Sequence, residues 1–366
     1  MSPETAGNPS EVALSGADGR HSQRPRRRWG CAAALLVLFA AFGGWGVLEF
    51  RLYQRFGCPP AMETPNMPDL QAAHVTTWHR WYLKPNLTEF EVRTHHVATL
   101  LTPIPRVFRF STNGLGLRGG PILPDGGRLR ILALGDSTTF GLGVNDEETW
   151  PACLEMLLNG HAGAARFEVV NAGVTGYTVV QGCQAWVGRW QALRPAVIIA
   201  TFGNNDWEVW DGVSDSERLA WYTPLEPGAG RPRVLAYVQL LYRQWARKRA
   251  IEGDPRNKKP RVPAEEFRET VARLDAFAAE RGAGLICVLW PWREQYAAHD
   301  PAPIHYQQDL IDVCASLRIP LVDLRTVLLG APEDPFIDMV HVNPEGCRLV
   351  AEAVAAAVEA TLVGQP

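Results

Sequence analysis

The sequence lacks the excess of positive charge that nucleic-acid-binding surfaces need. Its 36 lysines and arginines are outnumbered by 39 acidic residues, and the formal net charge is −3. The basic residues concentrate at one place, Arg24 and Arg26 to Arg28, directly before an apolar segment that accounts for them. We therefore expect no nucleic acid among the partners of this chain.

Metal-binding patterns and repeats are also absent. The chain has 7 cysteines, an odd number, and their spacings match no zinc-site pattern. Most of them lie in apolar runs, which predicts buried free thiols rather than bridges. Hydrophobic residues make up 46% of the 366 positions, so the chain can bury a sizeable core without metals.

Charged residues are missing from Trp29 to Leu48, a stretch long enough to cross the roughly 30 Å apolar layer of a membrane. The arginines before it predict that residues 1–28 are cytoplasmic and the rest extracytoplasmic. The sequence thus predicts a single-pass membrane protein with a signal-anchor helix at 29–48, facing the periplasm in a Gram-negative cell. A cleaved signal peptide is the alternative.

Outside the apolar segment, composition and hydrophobic pattern divide the chain into three parts. Residues 1–28 have the composition of a disordered tail, and residues 49–128 read as a linker and N-terminal extension. From 129 to 366, short apolar runs alternate with helical periods, which is typical of an α/β domain with a parallel sheet. The predicted strands are Leu129 to Leu134, Phe167 to Asn171, Ala196 to Thr201, Gly284 to Trp290 and Pro320 to Leu324.

Helical periods lie between and after these runs. The predicted helices are Thr149 to Leu158, Thr178 to Leu193, Ala264 to Glu280, Tyr306 to Leu317 and Pro344 to Val363. Residues 207–263 interrupt the alternation and are interpreted as an insertion. Within it, helical spacing favours core packing over a lid or membrane-facing stripe for Tyr237, Leu240, Leu241 and Trp245.

The first strand runs into Gly135-Asp136-Ser137, which places a serine at a strand-to-helix turn. Sites in parallel sheets form at the carboxyl ends of the strands, and a following helix directs backbone N–H groups toward developing negative charge. Ser137 is therefore a candidate nucleophile. A simple helix cap is the other interpretation.

A nucleophilic serine needs a base and a group that orients the base. Asp338 and His341 stand three residues apart near the end of the chain, so one turn can bring the carboxylate to one ring nitrogen. The other ring nitrogen would then face Ser137. Two further strand ends offer donors for an oxyanion: the backbone N–H of Gly173 and the side-chain amide of Asn205, beside the N–H of Ser137.

These segments, in this order, resemble the four blocks of the SGNH (GDSL-like) hydrolase superfamily, and the sequence NGLGLRG at 113–119 resembles its membrane-anchored or secreted bacterial members. The serine block matches Gly135-Asp136-Ser137, the glycine block Gly173, the GxND block Gly203, Asn205 and Asp206, and the DxxH block Asp338 and His341. The resemblance covers roughly residues 113–363. It implies a flavodoxin-like α/β/α fold with a five-stranded parallel sheet, no metal and no organic cofactor.

The resemblance also implies a serine esterase, with Ser137, His341 and Asp338 catalytic and with Ser137, Gly173 and Asn205 forming the oxyanion hole. The expected substrates are carboxylic esters, with O-acetyl groups on envelope or exported polysaccharide as the leading class. An O-acyltransferase that uses the same residues with a sugar hydroxyl as acceptor is one alternative. An inactive polysaccharide-binding or assembly module is another, and the oligomeric state stays open.

Overall fold

The structure is a computed structural model that describes residues 26–57, 70, 72–76, 81–93, 107–225 and 232–363. The side chains of residues 26–36, 53–57, 75 and 76 are outside this description. The chain divides into two compact units, residues 1–51 and residues 52–366.

The second unit is built on a five-stranded parallel sheet. In chain order the strands are β1 (His74–Thr76), β2 (Trp81–Leu83), β3 (Phe90–Arg93), β4 (Val107–Phe110), β5 (Leu129–Gly135), β6 (Phe167–Gly173), β7 (Val197–Thr201), β8 (Gly284–Leu289) and β9 (Leu321–Asp323). The central sheet has the order β6-β5-β7-β8-β9, and all its neighbouring pairs are parallel. The five predicted strands are confirmed, each within about two residues of its predicted bounds.

This strand order determines where a site can form. The chain steps from β5 to β6 on one side and then crosses to β7 on the other side of β5. The carboxyl ends of β5 and β7 therefore flank the crevice at which the direction of winding reverses, and open α/β sheets bind their ligands there. The registers align Gly135 with Gly173 and with Thr201, so the three strands end level.

Helices of the second unit cover both faces of the sheet. The helices of the described residues are, in chain order, α1 (Arg26–Gly57), α2 (Ser137–Phe140), α3 (Trp150–Ala162), α4 (Val179–Ala185), α5 (Asp215–Tyr222), α6 (Arg233–Gly253), α7 (Ala264–Ala279), α8 (Arg293–Ala298), α9 (Gln307–Leu317), α10 (Arg325–Leu328) and α11 (Pro344–Val363). The predicted helix 178–193 is α4, continued by a wider turn over Trp186–Trp190 and a tight turn over Gln191–Leu193.

Alternate residues of the strands feed two separate cores. Leu132 and Leu134 of β5 point to the face covered by α4, α7 and α9, whereas Ile131 and Ala133 point to the face covered by α3 and α11. This is the period of two that a strand buried on both sides requires. The result is the three-layer α/β/α arrangement expected from the sequence.

The N-terminal extension adds a small layer beside α2. Strand β3 pairs antiparallel with β4, and Phe108 and Phe110 of β4 pack edge-on against Phe140 at the end of α2. All three rings are fully buried. The extension therefore supports the short helix that begins with Ser137.

The insertion contributes α5 and the long helix α6. The expectation of core packing for the α6 stripe is correct only in part: Leu240 is buried and Tyr237 is partly buried, but Leu241 and Trp245 are 47% and 54% exposed. Because these positions wind around the helix, one side of α6 meets the domain and the other side faces solvent.

The cysteines follow the expectation where they are described. Cys153, Cys183, Cys287, Cys314 and Cys347 are free thiols, and all except the half-buried Cys183 are buried. The side chain of Cys31 and all of Cys58 lie outside the described residues.

Two predictions concern the N-terminal segment. Residues 1–25 of the predicted tail lie outside the described residues, and α1 begins at Arg26, inside the predicted tail. Among the residues that the structure describes, no helix combines the length and the apolar character needed to cross a membrane. The predicted span 29–48 falls within α1, partly on side chains outside the description, so membrane anchoring stays a prediction.

A substitution at Gly173 tests how tightly α2 packs against the sheet. A Cβ at this position would lie 2.1 Å from the Phe140 backbone nitrogen, so we expect Gly173→Ala to lower the free energy of unfolding by about 3 kcal/mol. Denaturant unfolding followed by circular dichroism measures the change. The control is Gly160→Ala in α3, where nothing lies within 4 Å and where stability should rise by up to about 1 kcal/mol. Equal stabilities for the two variants would contradict this packing.

Candidate active site

Ser137 lies at the first position of α2, directly after β5. Asp136 caps the helix, and its Oδ1 accepts hydrogen bonds from the Thr138 N–H (2.8 Å) and the Thr138 hydroxyl (2.7 Å). Gly141 ends the helix with a φ of 83°, a left-handed conformation that suits glycine. Ser137 is half-buried between buried neighbours, so its hydroxyl is held at the crevice.

The structure brings Ser137, His341 and Asp338 into one chain of hydrogen bonds. His341 Nε2 lies 2.8 Å from Ser137 Oγ, and His341 Nδ1 lies 2.6 Å from Asp338 Oδ2. Since a carboxylate only accepts, Nδ1 carries the proton, and the free electron pair of Nε2 faces the serine hydroxyl. This tautomer is the one that a general base needs.

The turn that carries His341 is fixed from three sides. Asp338 Oδ1 accepts from the backbone N–H groups of Val340 (2.9 Å) and His341 (2.8 Å). The Trp290 indole donates to the Val340 carbonyl (2.8 Å), and the Arg293 N–H donates to the Met339 carbonyl (2.8 Å). Trp290 and Arg293, which follow β8, therefore support the base.

Of the predicted oxyanion donors, the Gly173 N–H already has a hydrogen-bond partner and the Ser137 N–H has none among the described residues. The Gly173 N–H donates to Asn171 Oδ1 at 3.0 Å and is already occupied, so the expected role of Gly173 does not fit this arrangement. The absence of a side chain at Gly173 instead lets α2 approach β6. No described residue accepts a hydrogen bond from the Ser137 N–H.

Gly176, which the sequence reasoning missed, is the better placed glycine. It is half-buried, has a φ of 74°, and its N–H has no partner among the described residues. Its neighbour Tyr177 accepts a hydrogen bond from the Asn205 amide (2.9 Å), and the same amide reaches Asp136 Oδ2 at 3.3 Å. Gly176, Asn205 and Ser137 thus share one rim of the crevice. The sequence signal was the second glycine of Asn171-Ala-Gly-Val-Thr-Gly176.

Arg261, in the insertion, supports this rim. Its guanidinium is buried and donates to the Gly176 carbonyl (2.8 Å) and to Gln181 Oε1 (3.0 Å), and it pairs with the buried Asp215 (2.9 Å). A buried guanidinium needs hydrogen-bond acceptors and a negative charge nearby. Loss of any of these three contacts would therefore lower the stability of the protein. The insertion therefore reaches the glycine loop directly.

Arg118 plays a similar part behind the nucleophile. It belongs to the NGLGLRG segment, is buried, and donates to the carbonyls of Phe140 (2.6 Å), Gly141 (2.8 Å) and Val144 (2.7 Å). Its ion pair with Asp146 completes the set (2.8 Å). Arg118 thus binds the carbonyl groups at the end of α2 that the helix itself cannot satisfy.

A family model identifies the family to which this arrangement of residues belongs. The model of the GDSL-like lipase/acylhydrolase family matches residues 133–349, a range that includes Ser137, Asn205, Asp338 and His341. The chain belongs to the GDSL-like lipase/acylhydrolase family. It is accordingly a hydrolase of the SGNH type that acts on ester bonds.

Solved structures that are similar to this chain include a lipase/acylhydrolase and two esterases. A lipase/acylhydrolase from Enterococcus faecalis is 16% identical with a TM-score of 0.41, and the match covers 63% of this chain and 96% of that chain. An acetyl xylan esterase is 15% identical with a TM-score of 0.42 over 63% and 100% of the two chains. A two-domain esterase active on acetylated mannans is 16% identical with a TM-score of 0.42 over 65% and 51%. No curated protein matches the chain.

The electrostatics of this GDSL-family site keep Asp338 ionised. Burial by itself would raise its pKa, but the nearby His341 and three N–H donors bring the pKa of Asp338 to about 2. For His341, burial disfavours the charged ring, yet attraction to Asp338 and their hydrogen bond outweigh it and raise the pKa of His341 above 6.5. The imidazolium that forms during catalysis is thereby stabilised.

The pH dependence follows from the raised pKa of His341. Only the neutral ring accepts the serine proton, so kcat/KM should fall as pH decreases, with a midpoint above the ordinary histidine value of about 6.5. In Asp338→Asn the attraction is lost while burial remains, so we expect the midpoint to move down and kcat to fall by about 10⁴-fold.

Initial rates on 4-nitrophenyl acetate between about pH 5 and 9 measure both effects. Asp312→Asn is the matched control, because Asp312 is an exposed carboxylate of α9. A midpoint that stays in place when Asp338 is replaced would refute the coupling between the two residues.

Proposed function

We propose that this chain hydrolyses carboxylic esters through an acyl-enzyme on Ser137, and that O-acetyl groups on envelope or exported polysaccharide are its substrates. The observation that carries the proposal is the continuous series of short hydrogen bonds from Asp338 through His341 to Ser137 Oγ. A serine hydroxyl is a weak nucleophile until a base removes its proton, and this geometry provides the base.

The reaction follows from these contacts. Ser137 Oγ attacks the ester carbonyl carbon while His341 Nε2 takes the hydroxyl proton. The Ser137 N–H and the Gly176 N–H stabilise the oxyanion, and the Asn205 amide joins them by exchanging its long 3.3 Å contact with Asp136 Oδ2 for the oxyanion. His341 then gives its proton to the oxygen of the departing alcohol. Water, deprotonated by His341, cleaves the acyl-enzyme and restores the serine.

The fixed position of the base disfavours the inactive binding module as an alternative. The Asp338 carboxylate accepts from His341 Nδ1 and from two backbone N–H groups, which fixes one ring orientation and one tautomer. A protein that only binds polysaccharide has no need of a base held in this way.

Replacement of the nucleophile tests the proposal. Ser137→Ala in the full chain should reduce hydrolysis of 4-nitrophenyl acetate and of acetylated xylo-oligosaccharides by about 10⁴-fold or more. Initial rates and released acetate measure the loss. Ser316→Ala, at an exposed serine of α9, should keep full activity. Undiminished turnover in Ser137→Ala would exclude the acyl-enzyme.

The transferase alternative gives a different product. If an acetylated sugar acceptor forms from 4-nitrophenyl acetate at the expense of free acetate, the acyl-enzyme is captured by a hydroxyl instead of water. Free acetate as the main product in the presence of excess oligosaccharide supports the hydrolase.

We further propose that residues 29–48 hold the chain at a membrane, with residues 1–28 cytoplasmic and the catalytic domain extracytoplasmic. The run is free of charged residues and follows a cluster of arginines. Large apolar side chains of α1 are exposed, among them Val37, Phe39 and Phe42. An apolar surface of this kind is compatible with lipid contact.

Charge placed within this segment should release the chain from the membrane. In Phe39→Arg/Phe42→Arg each arginine costs about 2.5 to 3.5 kcal/mol at the centre of a span, so the full chain should move from the carbonate-washed membrane fraction to the soluble fraction. Met156→Arg, at an exposed methionine of α3, should leave the distribution unchanged. An unaltered distribution of the double variant would refute the anchor.

A further inference from the structure

Three rings outside the catalytic relay pack against one another at the surface. Trp207 and His305 stack face to face, with ring centroids 3.7 Å apart and planes at 7°. Trp292 meets both rings at an angle, at centroid distances of 6.0 Å from Trp207 and 4.8 Å from His305. The two indoles are half-buried and His305 is exposed, so this aromatic cluster is accessible from solvent.

The cluster lies beside the catalytic residues. Trp207 follows Asp206 in the loop after β7, two positions from Asn205. Trp292 precedes Arg293, whose N–H donates to the Met339 carbonyl in the turn that holds His341. A depression lined by Gly203, Asn204, Trp292 and His305, among others, lies between these two loops. The aromatic cluster is thus attached both to the loop that carries Asn205 and to the segment that contacts the His341 turn.

The backbone holds His305 in an unfavourable conformation. Its φ is 50°, a region that costs residues other than glycine about 1 to 3 kcal/mol. The residues on either side are anchored: the Ile304 N–H donates to Gln307 Oε1 (3.0 Å), and the Tyr306 hydroxyl donates to the Val262 carbonyl (2.6 Å). Such strain persists where the surroundings impose it, and it is concentrated at ligand-binding positions.

The cluster also has hydrogen-bonding capacity to spare. The indole Nε1 of Trp207 has no partner among the described residues although it is buried, which carries a cost of about 1 to 3 kcal/mol. Partial burial lowers the pKa of His305 and so favours the neutral ring, which has one donor and one acceptor. The aromatic cluster therefore combines flat apolar faces with polar edges.

We propose that Trp207, Trp292 and His305 form a subsite that binds a sugar ring of an O-acylated glycan, on the alcohol side of the ester held at Ser137. The proposal rests on the proposed esterase function and names the substrate class of the same site. A pyranose presents a face of polarised C–H groups that packs on the electron-rich face of an aromatic ring, while its hydroxyls reach the ring edges.

The alcohol side follows from the position of the base. His341 protonates the departing alcohol, so that part of the substrate must lie near the turn Asp338–His341, to which the Trp292 segment is hydrogen-bonded. An alkyl chain, by contrast, is matched by aliphatic side chains, and the three members of the cluster are aromatic rings with polar nitrogens.

Two variants test the subsite without touching the catalytic relay. His305→Gly relieves the backbone strain while removing the ring, and Trp292→Ala removes the second face. For an acetylated xylo-oligosaccharide we expect each to raise KM about tenfold with kcat nearly unchanged. KM for 4-nitrophenyl acetate, which has no sugar, should stay within about twofold. Trp245→Ala, at an exposed tryptophan of α6, is the matched control and should change neither substrate.

Other outcomes overturn the subsite. Equal losses on both substrates would mean that the rings only stabilise the loops. Higher KM values for long-chain 4-nitrophenyl esters, with the oligosaccharide unaffected, would assign the cluster to the acyl chain. Unchanged kinetics on both substrates would remove any role in binding.

A binding measurement separates failure of the subsite from failure of the esterase. Unacetylated xylo- and manno-oligosaccharides are titrated into the Ser137→Ala protein, and tryptophan fluorescence and calorimetry are recorded. Binding that weakens about tenfold in His305→Gly supports the subsite even if no ester is turned over. Absence of binding by both oligosaccharides, with 4-nitrophenyl acetate still hydrolysed by the unaltered chain, would refute the subsite and leave the esterase intact.

Discussion

The hydrogen bond between Ser137 Oγ and His341 Nε2 is the contact on which the rest of the site depends. It joins residues 204 positions apart. The two residues can meet only if the segments that carry them lie at the same edge of the sheet. Parallel strands that end level provide that edge, and the winding order places β5 and β7 on either side of the crevice. The fold thus brings a serine and a histidine that are distant in sequence into hydrogen-bond contact.

Buried arginines hold the loops of this unit in place. Arg118 binds carbonyl groups at the end of the nucleophile helix, and Arg261 binds the carbonyl of Gly176. Each guanidinium has an acidic partner, Asp146 or Asp215, so its charge is compensated where water is excluded. A fork of rigid donors can tie several backbone carbonyls together, which the single ammonium of a lysine does less well. Parts of the chain outside the sheet, the N-terminal extension and the insertion, thereby support the geometry of the crevice.

Three buried carboxyl groups near the crevice show how the surroundings set their charge. Asp338 faces a histidine and two backbone N–H donors, and its pKa is about 2. Asp206 accepts from the N–H groups of Val179 and Gly203, yet burial raises its pKa to about 7. Burial also raises the pKa of Asp136. Only the carboxyl beside the base is strongly stabilised as an anion, and that is the one whose charge the imidazolium needs.

The sequence by itself determined the sheet, the outer helices and the pairing of Asp338 with His341. Strands buried on both sides read as short apolar runs, and residues three apart on a turn can share a proton without help from distant contacts. It did not determine which glycine faces the crevice. Gly173 and Gly176 lie in the same short segment, and only the hydrogen bond from Gly173 to Asn171 and the close approach of α2 distinguish them.

The tertiary structure alone decided the roles of the distant residues. Arg261 meets Gly176 across 85 positions, and the stacking of Trp207 on His305 likewise joins separate loops. The exposure of Trp245 on α6 was equally hidden, because helical spacing predicts that a face is apolar but not what covers it. Hydrophobic periodicity predicts the type of an element and which of its faces is buried. Contacts between loops depend on how the sheet brings the loops together in space, and the periodicity of one segment does not predict those contacts.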